Sequence, residues 1–398
     1  MSLEDLTATL SAAGALPEDW AAAFREVDRA KFIPARVWFD DEQGRPQPLD
    51  RDGEPDRWRS AVYSDEPIVT QLDDGATVWP ARSNAATSSA SQPSMVLLML
   101  DALDVQPGQT VLEIGTGTGY NAALLAHRLG DQRVTSIEVD PALAEGARAN
   151  LKAAGYAPTV VCADGAEGWP GGAPYDRIIS TAAVIAGSLP YAWVEQTRPG
   201  GLILTPWGTA YHNGALVRLC VHEGTATGRV IGNAMFMRLR EQRTPFGHAA
   251  RLGELVDTST TALESTTDVP PHEVATGEGA FSVGLHLPDV QCSVYSEADG
   301  LYEVLLYHVA TESAASAQVT PHATEAHVRQ HGPRKLWDEA ENAYHWWVEQ
   351  GTPPRTRYGL TITPTGQHLW LDTPSNTIRW RYPIAGSAGG DDLDGEGD

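Results

Sequence analysis

Residues 111–120 read Val-Leu-Glu-Ile-Gly-Thr-Gly-Thr-Gly-Tyr, a short apolar strand followed by glycines at alternate positions and the start of a helix. Glycine at 115, 117 and 119 removes the side chains that would keep the main chain away from a ligand, so the turn predicts a small molecule lying across a strand end. A dinucleotide fingerprint reads G-x-G-x-x-G, with room for a pyrophosphate. The spacing here is G-x-G-x-G behind an acid and calls for no diphosphate.

A ligand with a nucleoside, a sulfonium and an amino-acid end fits this pattern, which describes S-adenosylmethionine. Glu113 is expected to hold its ammonium, directly or through water, and main-chain N–H groups of the turn and helix start its carboxylate. Glu138 closes the next strand, where it can accept two hydrogen bonds from ribose hydroxyls. Asp164-Gly165 ends the third, where the adenine amino group would lie. Gly115, Thr116, Gly117, Gly119, Tyr120 and Val139 complete the strand-tip set expected to surround the cofactor.

Between about 105 and 222, short apolar strands alternate with helices. Strands are expected at Thr110–Ile114, Arg133–Val139, Thr159–Cys162, Arg177–Thr181, Leu202–Pro206 and Gly214–Val221, with helices at 119–129, 141–154 and 190–197. This is the pattern of a doubly wound α/β sheet. Upstream, residues 3–39 look helical, and the charged, Pro- and Gly-rich stretch Asp40–Ser60 reads as an irregular surface insertion near an opening. A short β-type run, Ile68–Gln71, and a small-residue stretch, Arg82–Ser91, lead to an apolar helix, Met95–Leu103, that begins near Pro93. After about 245, Phe281–Leu287, Cys292–Tyr295 and Tyr302–Tyr307 read as strands, Lys335–Gln350 as a helix, and Leu360–Thr363 with His368–Leu371 as a hairpin. The expected organisation is a helical lead-in with active-site loops over 1–104 and a cofactor-binding core over 105–245. A smaller α+β substrate-recognition domain over 246–384 and an acidic, disordered tail over 385–398 follow.

The 398 residues include 28 Lys and Arg against 52 Asp and Glu, a formal charge of −24. That field repels phosphate backbones and anionic lipid and argues against nucleic-acid or membrane partners. No run approaches the roughly 20 apolar residues that span a bilayer, and the acidic start Met1-Ser2-Leu3-Glu4-Asp5 lacks a secretory pattern. A cytoplasmic protein is expected, and a monomer. Cys162, Cys220 and Cys292 are isolated and read as free, mostly buried thiols. The histidines show no H-E-x-x-H spacing, so His127, His212 and His222 read as surface or satisfied core residues, and no metal is expected. Trp346 and Trp347 read as core, with an outward-facing ring as a peptide platform left open.

The run from Val111 to Leu129, with Asp164-Gly165, Tyr175–Ala183 and Arg198–Gly208, resembles the protein-L-isoaspartate O-methyltransferases over roughly residues 20–245. Ser89-Ala90-Ser91-Gln92-Pro93 stands in the place of that family's Thr-Ile-Ser-Ala-Pro motif, and Arg29–Pro34 looks like its R-x-x-F-V-P segment. The resemblance implies a Rossmann-like, S-adenosylmethionine-dependent methyltransferase sheet and makes Ser91 the active-site serine. It also implies that Ser89, Ala90 and Gln92 adjoin the acceptor, and that Tyr63, with the loop to Pro67, and Thr181, Ala182 and Ala183 flank peptide and cofactor. In its C-terminal extension the chain resembles longer actinobacterial members associated with ribosomal peptides. This implies an aspartate of a lanthipeptide or graspetide as acceptor, collapsing through an aspartimide to isoaspartate or a retained imide. Two alternatives stay open: repair of isoaspartyl residues in damaged proteins, and a catalytically weak peptide-binding partner that keeps the cofactor fold.

An aspartyl carboxylate has an ordinary pKa of about 3.9, so it is a ready nucleophile at neutral pH and needs no strong base. Alignment then dominates and can contribute roughly 7–11 kcal/mol. Ser91 is expected to orient the acceptor carboxylate by a hydrogen bond, since no adjacent His and Asp pattern would activate it for attack.

Overall fold

The computed structural model describes residues 1–41, 44–243, 248–296, 300–321 and 323–378; the acidic tail expected over 385–398 lies outside the described residues. Two helices, α1 (Leu3–Ala12) and α2 (Glu18–Glu26), open the chain and bury Leu6, Leu10, Trp20 and Phe24 in the main core. The helical lead-in stops short of its expected end. Residues 36–40, rich in the aromatic and β-branched types that favour strands, form β1 (Arg36–Asp40), paired along its length with β2 (Pro46–Asp50). The described residues of the Asp40–Ser60 insertion are therefore mostly regular, with β2 after β1 and then α3 (Pro55–Val62). Pro46 and Pro48 hide the strand in the sequence. The structure tolerates them because β2 is the edge of a four-stranded sheet in the order β2-β1-β3-β4, with β3 at Ile68–Leu72 and β4 at Ala86–Ala90.

After α4 (Pro93–Leu103) come the strands and helices of the main sheet. They are β5 (Val111–Ile114), α5 (Tyr120–Leu129), β6 (Val134–Glu138), α6 (Pro141–Ala154), β7 (Thr159–Cys162) and β8 (Tyr175–Ser180). Next are the short β9 (Val184–Ile185), α7 (Tyr191–Glu195), β10 (Thr197–Gly208), β11 (Asn213–His222) and β12 (Thr225–Gly232). The strands β7, β6, β5, β8 and β10 are neighbours in that order and run parallel. The chain winds outward from β5 and returns to its other side at β8, so a crevice opens at the strand tips where the winding reverses. Both faces of the sheet are covered. Ile178, Ile203 and Val217 bury with Trp193 on one side. Ile179, Leu204 and Leu216 bury with Leu97, Leu100 and Leu124 on the other, the period of two that a doubly covered sheet requires.

The C-terminal unit holds α8 (His248–Thr258), β13 (Leu263–Thr267), α9 (Pro271–Ala275), α10 (Gly277–His286), β14 (Gln291–Ser296), β15 (Tyr302–His308), β16 (Ser313–Val319), β17 (Ala326–His331) and α11 (Leu336–Glu349). Its antiparallel sheet has the order β13-β17-β16-β15-β14. Phe281–Leu287, expected as a strand, lies mostly in α10. Residues Gly279 to Leu285 are buried on every side, so the apolar run carries no 3.6-residue period to distinguish it. The closing hairpin, β18 (Tyr358–Thr363) and β19 (Gly366–Leu371), forms at its expected place but leaves the domain drawn over 246–384. Antiparallel pairing of Gly228 with Leu360 adds it, with β20 (Thr377–Ile378), to the far edge of the main sheet. Cys162 and Cys220 are exposed on strands, against the expected burial of the thiols. Trp347 is buried, and Trp346 is half-buried with its ring 4.6 Å from that of His286.

A Cβ built on Gly228 would overlap the carbonyl oxygen of Arg218 across the β11–β12 pair. Gly228→Val is therefore expected to cost roughly 1–3 kcal/mol and to lower the thermal midpoint by several degrees. An unchanged midpoint in a calorimetric scan would contradict this register.

Candidate active site

A cavity of about 900 Å³ opens over the tips of the parallel strands. One side is made by Gly115–Thr118, Glu138, Val139, Asp164, Gly165 and Thr181, and another by Ser88–Gln92, where β4 runs out toward α4. The third side is His212–Gly214 with Asn233–Arg240. Strand–turn–helix geometry accounts for the first. Gly115 has φ 94°, and a Cβ there would stand 2.8 Å from the Thr181 hydroxyl oxygen. That hydroxyl donates to the Gly115 carbonyl at 2.6 Å and clasps the tip of β5 to that of β8. Gly165 is equally constrained, because a Cβ would lie 2.5 Å from Ile114 Cγ2.

Glu138 is buried at the tip of β6, where Oε2 accepts from the Gly117 N–H at 2.9 Å and Oε1 from the Asp140 N–H at 3.1 Å. Burial raises its pKa, and these two bonds oppose the rise. Each carboxylate oxygen keeps a further lone pair for a ribose hydroxyl. The N–H groups of Gly115 and Thr116 donate to the Ile137 carbonyl at 2.8 and 3.0 Å. These two and the Gly117 amide tie β5 to β6, so they are not the carboxylate donors expected of the turn. The helix start at α5, beyond the Gly119 cap, is where main-chain N–H groups without an intrahelical acceptor stand.

Glu113 is not at the wall. Alternation along β5 turns it, with Val111, toward the helices. There it accepts from Asn121 Nδ2 at 2.6 Å and from the Ser136 hydroxyl, fully buried. Burial pushes its pKa up to about 7 against the pull of those two bonds. Asn121 does line the cavity, so Glu113 is linked to the wall only through this amide. Tyr120 lines the cavity as well, and its buried hydroxyl has no hydrogen-bond partner among the described residues.

Ser91 follows β4 and lines the cavity with Ser89, Ala90 and Gln92. Its position is set by Arg29, which is wholly buried. Nη1 of Arg29 donates to the carbonyls of Val62 (2.8 Å) and Ser64 (3.4 Å), and Nη2 to those of Glu66 (3.0 Å), Ala90 (3.3 Å) and Ser91 (2.9 Å). Burial lowers its pKa to about 10, which leaves it charged at neutral pH. Asp65 adds a second stitch, accepting from the Ser94 N–H at 2.8 Å and from Gln92 Nε2 at 3.3 Å.

Three further residues expected at the wall stand elsewhere: Gly119, which packs against Leu151 of α6, Tyr63 and Ala183. Tyr63 donates its hydroxyl to Asp28 at 2.9 Å, with burial and that bond pushing its pKa up to about 12, and only Glu66 and Pro67 of its loop reach the cavity. Ala182 lines the cavity, but Ala183 is buried and exchanges main-chain bonds with Met237 (2.7 Å) and Leu239 (3.0 Å). The segment holding those partners, Asn233–Arg240, carries no pattern that sequence reading could have used, and neither do His212 and Asn213. Arg240 anchors its end to Asp74 (3.0 Å) and Asp140 (3.3 Å).

The model of the family described as protein-L-isoaspartate(D-aspartate) O-methyltransferase matches residues 1–244. The chain belongs to this family. A protein-L-isoaspartate O-methyltransferase of Hyperthermus butylicus is 36% identical over 195 residues, which cover 46% of this chain and 74% of the relative. One of Pyrococcus horikoshii is 42% identical over 159 residues, covering 39% and 64%. A solved protein-L-isoaspartate O-methyltransferase superposes with a TM-score of 0.52 at 22% identity, covering 93% of this chain and 100% of its own, a likeness of fold. The protein is thus an S-adenosylmethionine-dependent carboxyl methyltransferase. The residues fit the cofactor: close-approach glycines at the tip of β5, a carboxylate with spare lone pairs at the tip of β6, and Asp164-Gly165 after β7.

Glu113 keeps its proton to about pH 7 when folded, against 4.5 for an unshifted glutamate. The native state therefore binds this proton more tightly than the unfolded chain. The stability it contributes is complete below pH 4.5 and is lost as pH rises through 7. Glu113→Gln removes the titration, so its thermal midpoint relative to the parent protein is expected to climb between pH 5 and pH 8. A constant gap across that range would show that no buried carboxyl ionises there.

Proposed function

We propose that this protein methylates the free carboxylate of L-isoaspartyl residues in damaged polypeptides, as the opening step of their repair. The observation that carries this reading is a single cavity. It joins the glycine turn, Glu138 and Asp164 to a serine held by main-chain bonds to a buried arginine, and both parts lie within the residues matched by the family. An acceptor carboxylate of α type, with an unperturbed pKa of about 3.3–3.7, is ionised at neutral pH. The site therefore has to orient it and exclude water.

When bound, S-adenosylmethionine supplies an electrophilic methyl carbon on sulfur. The Ser91 hydroxyl would donate to one carboxylate oxygen of the acceptor and leave the other facing that carbon, which it would take as the methyl–sulfur bond breaks and its electron pair stays on sulfur. Glu138 would receive the ribose hydroxyls, and Asn121, set by Glu113, would hold the amino-acid end. Met95, Met99 and Phe236 provide apolar wall that keeps water from the reacting line. In the methylated product the next backbone amide nitrogen attacks the ester carbonyl and closes a five-membered succinimide with loss of methanol. Hydrolysis of that ring returns aspartate or isoaspartate. A role on lanthipeptide or graspetide precursors rests on the C-terminal extension alone, and no feature of the cavity favours it over repair.

Incubation with methyl-labelled cofactor should place label on an isoaspartyl peptide and leave its aspartyl counterpart unlabelled; equal labelling of both would remove the repair assignment. Ser91→Ala is expected to lower turnover on the order of 10²-fold. Cofactor affinity by calorimetry should stay within about twofold. Wild-type turnover in this variant would leave the hydroxyl without a role.

A further inference from the structure

We propose that Arg355, in the segment beyond the family match, is a positioning residue for the acceptor, through which the C-terminal unit sets how tightly the damaged chain is held. This inference rests on the methyl transfer proposed above.

Arg355 stands just before β18 and is 5% exposed. The C-terminal unit fixes it from three directions. Its Nε donates to Glu278 Oε1 at 2.8 Å, and its own main-chain N–H to Glu278 Oε2 at 2.6 Å. Nη2 reaches the Gly277 carbonyl at 3.2 Å, and the guanidinium lies 5.1 Å from the centre of the Phe281 ring. The remaining nitrogen, Nη1, points the other way. It donates to the Gly214 carbonyl at 2.7 Å and to the Asn233 side-chain oxygen. Both recipients line the cavity.

Gly214 and Asn233 belong to different strands' ends, and the guanidinium is a shared clamp on them. The clamped wall is tight: a Cβ on Gly214 would stand 3.2 Å from His212 Cε1 and 3.5 Å from the Asn233 oxygen. Next to it, Asn213 Nδ2 donates to the Phe236 carbonyl at 2.8 Å, so the clamp also steadies the segment that forms the apolar wall. A planar, five-donor fork holds two acceptors at fixed separation in a way that a flexible ammonium does not.

The clamped wall lies on the acceptor side. The cofactor groups sit at the tips of β5, β6 and β7, whereas Gly214 and Asn233 flank β11 and β12, separated from β5 in the sheet by β8 and β10. Loss of the clamp should therefore loosen the grip on the peptide and spare the nucleoside. His212, on the same wall, is uncharged at neutral pH because burial and the Arg355 charge lower its pKa to about 4. The clamped part of the wall, His212–Gly214 with Asn233, thus presents polar but neutral groups, and the charge on this side comes from Arg238 and Arg240.

The test uses the full chain with an isoaspartyl peptide and with calorimetric titration of the cofactor. Arg355→Ala is expected to raise KM for the peptide about tenfold, lower kcat by less than about threefold, and leave cofactor Kd within about twofold. Asn233→Ala, which leaves the C-terminal anchor intact, should reproduce the KM effect, and the double variant should be no worse than Arg355→Ala alone. If Arg355→Ala does not fold, Asn233→Ala decides by the same split. An unchanged KM, or a KM rise matched by an equal loss of cofactor affinity, overturns the inference while the proposed activity stands. A parent enzyme that labels no isoaspartyl peptide defeats the proposed activity itself, and the inference with it.

Discussion

A buried guanidinium carries the Ser91 side of the cavity. Arg29 is withdrawn from water, and its charge is met by five main-chain carbonyl oxygens. They come from the last residue of α3, the loop beyond it, and the end of β4 with the residue that follows it. A buried charge is tolerated only where such partners converge, and each carbonyl deprived of its donor would be left unsatisfied in turn. The arginine and the loops therefore require one another, and Ser91 is placed as a consequence. The helical lead-in supplies the hub of the wall as well as covering the sheet.

On the cofactor side the constraint is main-chain economy of space. The Thr181 hydroxyl and the Ile137 carbonyl draw the tips of three parallel strands together, and glycine at 115 and 165 is what permits that approach. The turn is stiff because its first three amides are already bonded within the protein. Glu113 contributes from the second layer, where its bonds to Ser136 and Asn121 hold the helix start against the sheet.

The features legible in the sequence are those in which a local pattern dictates local geometry. The tip of the apolar run with the turn at 114–118, Tyr120 at the helix start, the acids closing β6 and β7, and Ser91 before Pro93 all lie at the cavity. Side-chain direction was less accessible. Resemblance marks a neighbourhood, and it cannot show that Tyr63 turns to Asp28 or that Ala183 faces Met237. Glu113 was readable as an acid beside the turn, yet strand alternation, applied strictly, puts it on the helix face. The run Phe281–Leu287 misled because complete burial erases the amphipathic period. Long-range partnerships left no trace at all. Arg355 meets Gly214 across 141 residues, and β18 joins β12 across the whole C-terminal unit, so nothing adjacent in sequence announces either.

The central claim is spatial: the nucleoside end of the cofactor occupies the tips of β5, β6 and β7, and the acceptor approaches from the side of Ser91. A crystal structure of the full chain with S-adenosylhomocysteine tests it most directly. The account requires the ribose hydroxyls on Glu138, the adenine beside Asp164 and Gly165, and the sulfur facing Ser91 across open space. A nucleoside bound between Ser91 and Asn233, with the strand tips vacant, would contradict it.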